Sequence, residues 1–227
     1  MSESLNQLKS NEKPATATPE FVEKRPSYLK MILNYCRYTT IRNEYFLRDE
    51  FDKSRGTETC RDVSRWRLGT DNTSSRYAAS SPEVFTQACQ FLPPEAKTYS
   101  FLDLGCGKGR ALILAQEYGF QRIVGVELSP KLLKICRQNL SKLRIRNVSL
   151  IEGNAATITL PECPVVVFMY NPFRPPTFTT VIERLAKHRY PLFLLYDTPF
   201  YRKVIEQAGC FTVISDSPGL FVCVKSD

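Results

Sequence analysis

The sequence predicts an α/β fold, built as a seven-stranded, mainly parallel, doubly wound sheet. From residue 99 onward, short apolar runs of strand length alternate with helical segments. Strands that are joined by helices pair in parallel through right-handed crossovers. The last two apolar runs are separated only by the turn residues 216–219, so they should form an antiparallel pair at the end of the sheet.

Each element has its own signal in the sequence. Ser81-Pro82 and Ser129-Pro130 predict two helix starts, each with Ser as the N-cap and Pro in the first turn. The helix over 129–143 has an apolar face, made of Leu132, Leu133, Cys136, Leu140 and Leu143. The other helices are expected at 82–90, 109–118, 176–188 and 201–209. The strands are expected at Tyr99–Leu104, Arg122–Leu128, Val148–Glu152, Pro164–Tyr170, Pro191–Tyr196, Phe211–Ser215 and Leu220–Lys225.

The first eighty residues differ in character from the rest. Residues 1–20 are polar and predict a flexible tail, while 27–55 hold aromatic and apolar residues at loosely helical spacing. Residues 56–81 are rich in Thr, Ser and Arg and predict irregular structure. We therefore expect a tail (1–20), a helical and irregular extension (21–80) and the main domain (81–227).

Composition excludes several classes of protein. With 43% hydrophobic and 24% charged residues, the chain is typical of a globular protein and not of a disordered one. No run approaches 18 apolar residues, so no membrane span is expected. No two of the eight cysteines are separated by only two residues, as they would be in a zinc ribbon, and His188 is the single histidine. No metal is therefore expected. We expect buried free thiols in a reducing cytoplasm.

The net charge of +8 is unevenly distributed. Six basic residues and no acidic residue lie between Lys131 and Arg146. Such a stretch can bind nucleic acid. Because the helix over 129–143 should turn Lys134 and Arg137 outward as an ordinary solvated face, we expect no specific nucleic-acid partner.

The motif Asp103-Leu104-Gly105-Cys106-Gly107-Lys108-Gly109-Arg110 connects the first strand to the next helix. Glycines at such a junction let the chain turn sharply and let a ligand approach the backbone. A dinucleotide fingerprint needs its third glycine where this chain has Arg110. Asp103 is unsuited to a pyrophosphate and suits a ligand that carries an ammonium group. Glu127 ends the second strand, where an acidic side chain can accept hydrogen bonds from both ribose hydroxyls.

These two motifs, D-L-G-C-G-K-G-R and V-G-V-E-L-S-P, resemble those of class I S-adenosylmethionine-dependent methyltransferases over roughly residues 77–227. The resemblance implies a Rossmann-like fold in which Asp103 and the glycine loop hold the methionine moiety and Glu127 holds the ribose. Asn154 stands where the family usually has an acid that binds the adenine amino group. The cofactor-binding residues implied in this way are Asp103, Gly105, Cys106, Gly107, Gly109, Glu127, Leu128, Asn154, Ala155 and Tyr77.

The end of the fourth strand, Tyr170-Asn171-Pro172-Phe173, resembles the N-P-P-F type of motif of methyltransferases that act on amino groups, without the second proline. The resemblance implies that the Asn171 oxygen and a backbone carbonyl accept hydrogens from the target nitrogen, while Phe173 and Tyr170 form aromatic walls. Asn171 is otherwise simply a turn residue. The acceptor is expected to be a nitrogen on a protein side chain or a small metabolite.

The stretch before the glycine motif, Phe51 to Thr59 and Arg76 to Pro82, resembles that of small bacterial methyltransferases. It implies an N-terminal helical cover over the cleft, with Tyr77 near the cofactor; packing of the next helix is the alternative role of Tyr77. Asp197 either orients a substrate amine or caps the following helix, and the cap is slightly favoured.

Two other functions share these features. A nucleotide-dependent oxidoreductase has the same opening of strand, glycine loop and helix, but Arg110 and Asp103 argue against it. A non-catalytic cofactor-binding partner subunit would have no need of the Asn171-Pro172-Phe173 edge.

Overall fold

The structure is a computed structural model and describes residues 49–60, 63 and 77–226. The predicted tail (1–20) and the helical spacing before residue 49 lie outside the described residues. The helices are α1 (Glu50–Arg55), α2 (Pro82–Cys89), a 3₁₀ helix (Pro94–Thr98), α3 (Arg110–Tyr118), α4 (Pro130–Lys142), α5 (Thr177–Ala186) and α6 (Arg202–Gln207). The strands are β1 (Ser100–Leu104), β2 (Arg122–Glu127), β3 (Val148–Glu152), β4 (Val165–Tyr170), β5 (Leu192–Asp197), β6 (Phe211–Ser217) and β7 (Leu220–Lys225).

The described strands form one sheet in the order β3-β2-β1-β4-β5-β7-β6. Strands β1 to β5 pair in parallel, whereas β7 is antiparallel to both β5 and β6. The predicted seven-stranded, mainly parallel sheet and its antiparallel end are therefore confirmed. The final strand lies between β5 and β6, which leaves β6 at the edge.

Apolar cores cover both faces of the sheet. Phe101 packs with residues of α2, α3 and α4, while its neighbour Leu102 packs with residues of α5 and α6 on the other face. Successive side chains of a strand point to opposite faces, so a strand covered on both sides is apolar throughout. In β4 every residue from Val165 to Met169 is buried for this reason.

The helix α4 packs as its sequence predicts. Leu132, Leu133, Cys136 and Leu140 are buried, whereas Lys134 and Arg137 are exposed. The N-terminal cap of α4 differs from the prediction. Ser129 occupies the N-cap position but makes no side-chain capping bond, and its buried Oγ has no partner among the described residues. By contrast, Ser81 caps α2 as predicted, accepting from the Glu83 and Val84 N–H groups.

The favoured role of Asp197 as a helix cap is wrong. Asp197 is the last residue of β5 and pairs with Leu220 of β7. The next helix, α6, begins at Arg202 with Tyr201 as its N-cap. Asp197 therefore lies four positions too early in the chain to reach the free N–H groups of that helix.

Candidate active site

The carboxyl ends of β1 to β5 lie at one edge of the sheet and bring the predicted polar residues to it. Asp103 lies near the end of β1, Glu127 ends β2 and Asp197 ends β5. Asn171 directly follows β4, and Asn154 follows β3 by two residues. Ligands of open α/β sheets bind at this edge.

The glycine loop has a left-handed backbone at Gly105, Gly107 and Gly109, with φ of 90°, 53° and 89°. Neighbouring side chains occupy the space that a Cβ would need at the first two positions. A Cβ on Gly105 would overlap Pro172, and a Cβ on Gly107 would overlap the ring of Tyr77. The loop is thus enclosed by the segment after β4 on one side and by Tyr77 on the other.

Glu127 holds the glycine loop to the start of α4. Its Oε2 accepts from the Gly107 N–H at 3.0 Å, and its Oε1 accepts from the Ser129 N–H at 2.9 Å. Burial raises the pKa of Glu127, and these backbone hydrogen bonds oppose the rise. A carboxylate oxygen has further lone pairs, so Glu127 can still accept from the hydroxyl groups of a ribose.

Asp103 faces a narrow cavity of about 20 Å³ whose walls include Tyr77, Gly105, Phe168 and Tyr170. Burial raises the pKa of Asp103 well above the ordinary range of a carboxyl, and the nearby Glu127 raises it further. A cation bound beside Asp103 would reverse this and favour the carboxylate. The chemistry of the donor set therefore fits the methionine ammonium and the ribose of S-adenosylmethionine.

The predicted adenine-side residues are mainly engaged with the protein itself. The Oδ1 of Asn154 accepts from the Ala156 N–H at 2.9 Å and so forms an Asx turn after β3. Ala155 is buried in the core, and its carbonyl accepts from Arg184 at 3.1 Å. Leu128 is half-buried, and Cys106 is buried beside Gly125. Asn154 keeps one lone pair for an adenine amino group.

The acceptor-side residues form a second group at the ends of β4 and β5. Asn171 has a left-handed backbone, with φ of 40°, and Thr198 has φ of 53°. Strained residues of this kind cluster at functional sites. The Tyr196 hydroxyl donates to Asn171 Oδ1 at 3.2 Å, and Phe173 is half-buried against the core. Sequence reasoning missed Tyr196, because nothing distinguishes it from other aromatic residues in an apolar strand.

Asp197 lies beside this group, since its Cα pairs in register with that of Tyr170. Thr198 donates to its Oδ1 at 2.9 Å, whereas its buried Oδ2 has no partner among the described residues. Burial raises the pKa of Asp197 to about 6.

A buried ion-pair network attaches the N-terminal segment to the glycine loop. Arg110 follows the third glycine, is 2% exposed, and pairs with both Asp49 and Asp52. Its Nε donates to Thr59 Oγ1 at 2.6 Å. Lys108, within the loop, pairs with Glu58 at 2.9 Å. Sequence reasoning noted Arg110 only as a departure from a dinucleotide motif and missed this role.

The same network contains a group of potential metal ligands. Single ligand atoms of Asp49, Asp52 and Cys60 lie within 4.8 Å of one another. The guanidinium of Arg110 already supplies the positive charge there, so the group is an ion-pair network and not a candidate metal site. Burial opposes ionisation of Asp52, but hydrogen bonds from Thr57, Thr59 and Cys60 outweigh it and lower its pKa to about 2.

His188 is distant from this edge of the sheet. It lies two residues beyond the end of α5, and its Nε2 is 3.1 Å from the carbonyl oxygen of Cys163. Both residues precede a strand, β5 and β4 respectively, and so lie at the amino ends of the strands.

No helix in the described part of the chain is both long and apolar enough to cross a membrane.

Comparison with known proteins agrees with this geometry. Residues 101–191 match the family model described as a methyltransferase domain. Among solved structures, a precorrin-6y C5,15-methyltransferase from Geobacter metallireducens is 19% identical with a TM-score of 0.51, and the match covers 71% of this chain and 94% of that one. A candidate methyltransferase from Escherichia coli is 15% identical with a TM-score of 0.51, covering 65% and 89%.

A candidate RNA methyltransferase from Pyrococcus horikoshii is 16% identical with a TM-score of 0.50, and the match covers 64% of this chain and 81% of that one. At such identities these structures establish the fold alone, while the family model adds the activity. The chain therefore carries a class I, S-adenosylmethionine-dependent methyltransferase domain.

Proposed function

We propose that this methyltransferase transfers its methyl group to a nitrogen, on a protein side chain or a small metabolite, that is held by Asn171 and the Pro172 carbonyl. The observation that carries the proposal is the position of this pair. Asn171 directly follows β4, and Pro172 lies against Gly105 of the glycine loop. The acceptor would thus meet the cofactor where the loop and the end of β4 adjoin.

The cofactor would be held by Asp103, Glu127 and the glycine loop, with Asn154 at the adenine. S-adenosylmethionine supplies an electrophilic methyl group on a sulfonium, which is a good leaving group. Catalysis by the chain's own residues therefore consists mainly of alignment and exclusion of water. Tyr77 and the residues that follow it would close the cleft on the side of the glycine loop.

An uncharged amide suits a nitrogen acceptor. The Asn171 oxygen accepts an N–H without stabilising the ammonium form, which has no lone pair for attack. The hydroxyl of Tyr196 uses one lone pair of that oxygen and fixes its direction, leaving the other for the acceptor. Tyr170 and Phe173 would stabilise the cation that forms as the methyl arrives.

Asp197 would take part by accepting a hydrogen bond or a proton from the acceptor amine. Support comes from its register beside Tyr170, its unpaired Oδ2 and its raised pKa. An oxygen acceptor more often needs a base or a metal near the hydroxyl, and His188 is at the opposite edge of the sheet.

We further propose a non-nucleic-acid substrate and a cytoplasmic location. The free thiols of the described cysteines support the location.

The test uses labelled S-adenosylmethionine and a fractionated lysate, with analysis of the methylated atom. Asn171→Ala should leave cofactor affinity nearly intact and lower turnover on the order of 10²-fold, as loss of one transition-state hydrogen bond does. Asn147→Ala, an exposed change near the amino end of β3, is the matched control and should remain active. A product methylated on oxygen or carbon, or a fully active Asn171→Ala enzyme, would contradict the proposal.

A further inference from the structure

An open groove of about 500 Å³ lies between the C-terminal part of α4 and the edge strand β3. Its rim carries three exposed arginines, Arg137, Arg144 and Arg146. Its floor is apolar and is made by Leu140, Ile145 and Val148, continued by Leu150. We call this feature the α4–β3 groove.

The rim arginines have no acidic partner in the described part of the chain. None of the three side chains forms an ion pair or a hydrogen bond with any residue in 49–60, 63 or 77–226. The sequence from Leu128 to Ile151 contains no acidic residue at all. An arginine guanidinium can bind a carboxylate with two parallel hydrogen bonds. The groove is therefore complementary to an acidic ligand.

The strand β3 adds backbone groups to this surface. It pairs with β2 on one side only and is the edge of the described sheet. An extended peptide can add to such an edge by main-chain hydrogen bonds, with alternate side chains on each face. Val148 and Leu150 share the face that is turned toward α4, while Ile151 on the other face is 37% exposed. Both faces of an added strand would thus find apolar contacts.

The composition of the groove favours a peptide over a nucleic acid. A phosphodiester backbone has no apolar group to cover Leu140, Ile145 and Val148. Proteins that bind single-stranded nucleic acids commonly stack the bases on aromatic side chains, and none of the described residues that line the groove is aromatic. We propose that the α4–β3 groove binds an acidic, apolar-anchored peptide segment of a partner protein as an added strand. This proposal does not depend on which atom accepts the methyl.

The probe is a short fluorescent peptide that alternates glutamate with leucine, measured by anisotropy at low salt. Its control has lysine in place of glutamate, and an oligouridylate tests nucleic acid. The wild-type chain should bind the glutamate peptide and bind neither of the others as tightly. Arg144→Glu with Arg146→Glu should weaken that binding at least about tenfold, because two charge-assisted contacts become repulsive.

Three controls make the result decisive. Lys187→Glu with Lys203→Glu places two equal charge reversals on other exposed helix ends and should leave binding within about twofold of wild type. Val148→Thr keeps the shape of the groove floor but makes it less apolar, and it should weaken binding of the glutamate peptide about fourfold. S-adenosylmethionine affinity of the Arg144/Arg146 variant should be unchanged, which shows that it has folded.

Equal binding of the two peptides, absence of binding, or full retention of binding in the Arg144/Arg146 variant would overturn the proposal. Tighter binding of oligouridylate that is lost in the same variant would also overturn it, and would assign the groove to nucleic acid.

Discussion

At the scale of single residues, the glycine loop is constrained by its neighbours as well as by its ligand. Gly105 and Gly107 adopt left-handed backbone conformations, and at both positions a protein side chain fills the space of a Cβ. Tyr77 is the neighbour of Gly107, and its hydroxyl donates to the Thr59 carbonyl. The loop, Tyr77 and the N-terminal segment therefore form one packed unit.

Gly107→Ala should destabilise the protein more than Gly56→Ala does. Both residues have φ near 60°, but nothing lies within 4 Å of a Cβ at Gly56. The Gly56 change should cost about 1 kcal/mol from backbone strain alone. The Gly107 change should cost about 1–3 kcal/mol more, because the Tyr77 ring must move. Urea denaturation measures both values. The extra cost should disappear in a Tyr77→Ala background, and its persistence there would contradict the explanation.

Asp197 should make stability depend on pH. Its pKa is raised from 3.8 to about 6 in the folded state, so the native chain binds more protons than the unfolded chain between about pH 4 and 6. The free energy of unfolding should therefore fall as pH rises through this window. Asp197→Asn should remove the fall and gain up to about 3 kcal/mol over wild type at pH 7–8, with little difference near pH 4. Denaturation of wild type and Asp197→Asn across this range checks it, and a fall of the same size in both proteins would contradict the explanation.

At the scale of elements, the short helix α1 is joined to the rest of the protein by buried charge. Asp49 caps α1 and pairs with Arg110 of α3, while Phe51 packs into the core and lies 4.7 Å from the Arg110 guanidinium. The removal of one partner from a buried ion pair is strongly destabilising, because an uncompensated charge stays buried. This network explains why an arginine follows the third glycine.

Arg110→Met should cost about 3–5 kcal/mol and expose residues 49–60 to proteolysis. Arg55→Met, which breaks a surface pair with Glu117, is the control and should cost no more than about 1 kcal/mol. Denaturation and limited proteolysis measure the two effects, and equal losses would exclude the buried network as the anchor.

Because the pKa of Asp52 is lowered to about 2, its contribution to stability is present above pH 4 and should be lost as pH falls toward 2.

At the scale of the whole molecule, the parallel sheet gathers residues that are far apart in sequence. Asp103, Glu127 and Asp197 belong to three different strands and Asn171 directly follows a fourth. They lie at one edge because parallel strands end there together. The antiparallel β7 contributes its start, Leu220, at that edge beside Asp197. The basic α4–β3 groove includes the amino end of β3 and the C-terminal part of α4.

Glu127→Ala should weaken S-adenosylmethionine binding through loss of one or two hydrogen bonds to a charged group, about 1.5–3 kcal/mol each at most. Glu152→Ala is the matched control, because Glu152 is exposed and pairs in register with Glu127 on the next strand. Calorimetry on folded variants separates them. If both variants bind as wild type does, Glu127 does not contact the ribose.

The sequence by itself determined the elements and their order, since periodicity, caps and turn residues are local properties. It also located the glycine loop and Glu127, because those positions need particular residue types at a fixed spacing. Only the tertiary structure decided the partners of buried polar groups, as at Arg110, Tyr196 and Asp197. A residue's partner across the fold depends on strand register and on side-chain direction, which local pattern does not encode. Asp197 illustrates this, because a cap and a strand-end carboxylate have the same local sequence.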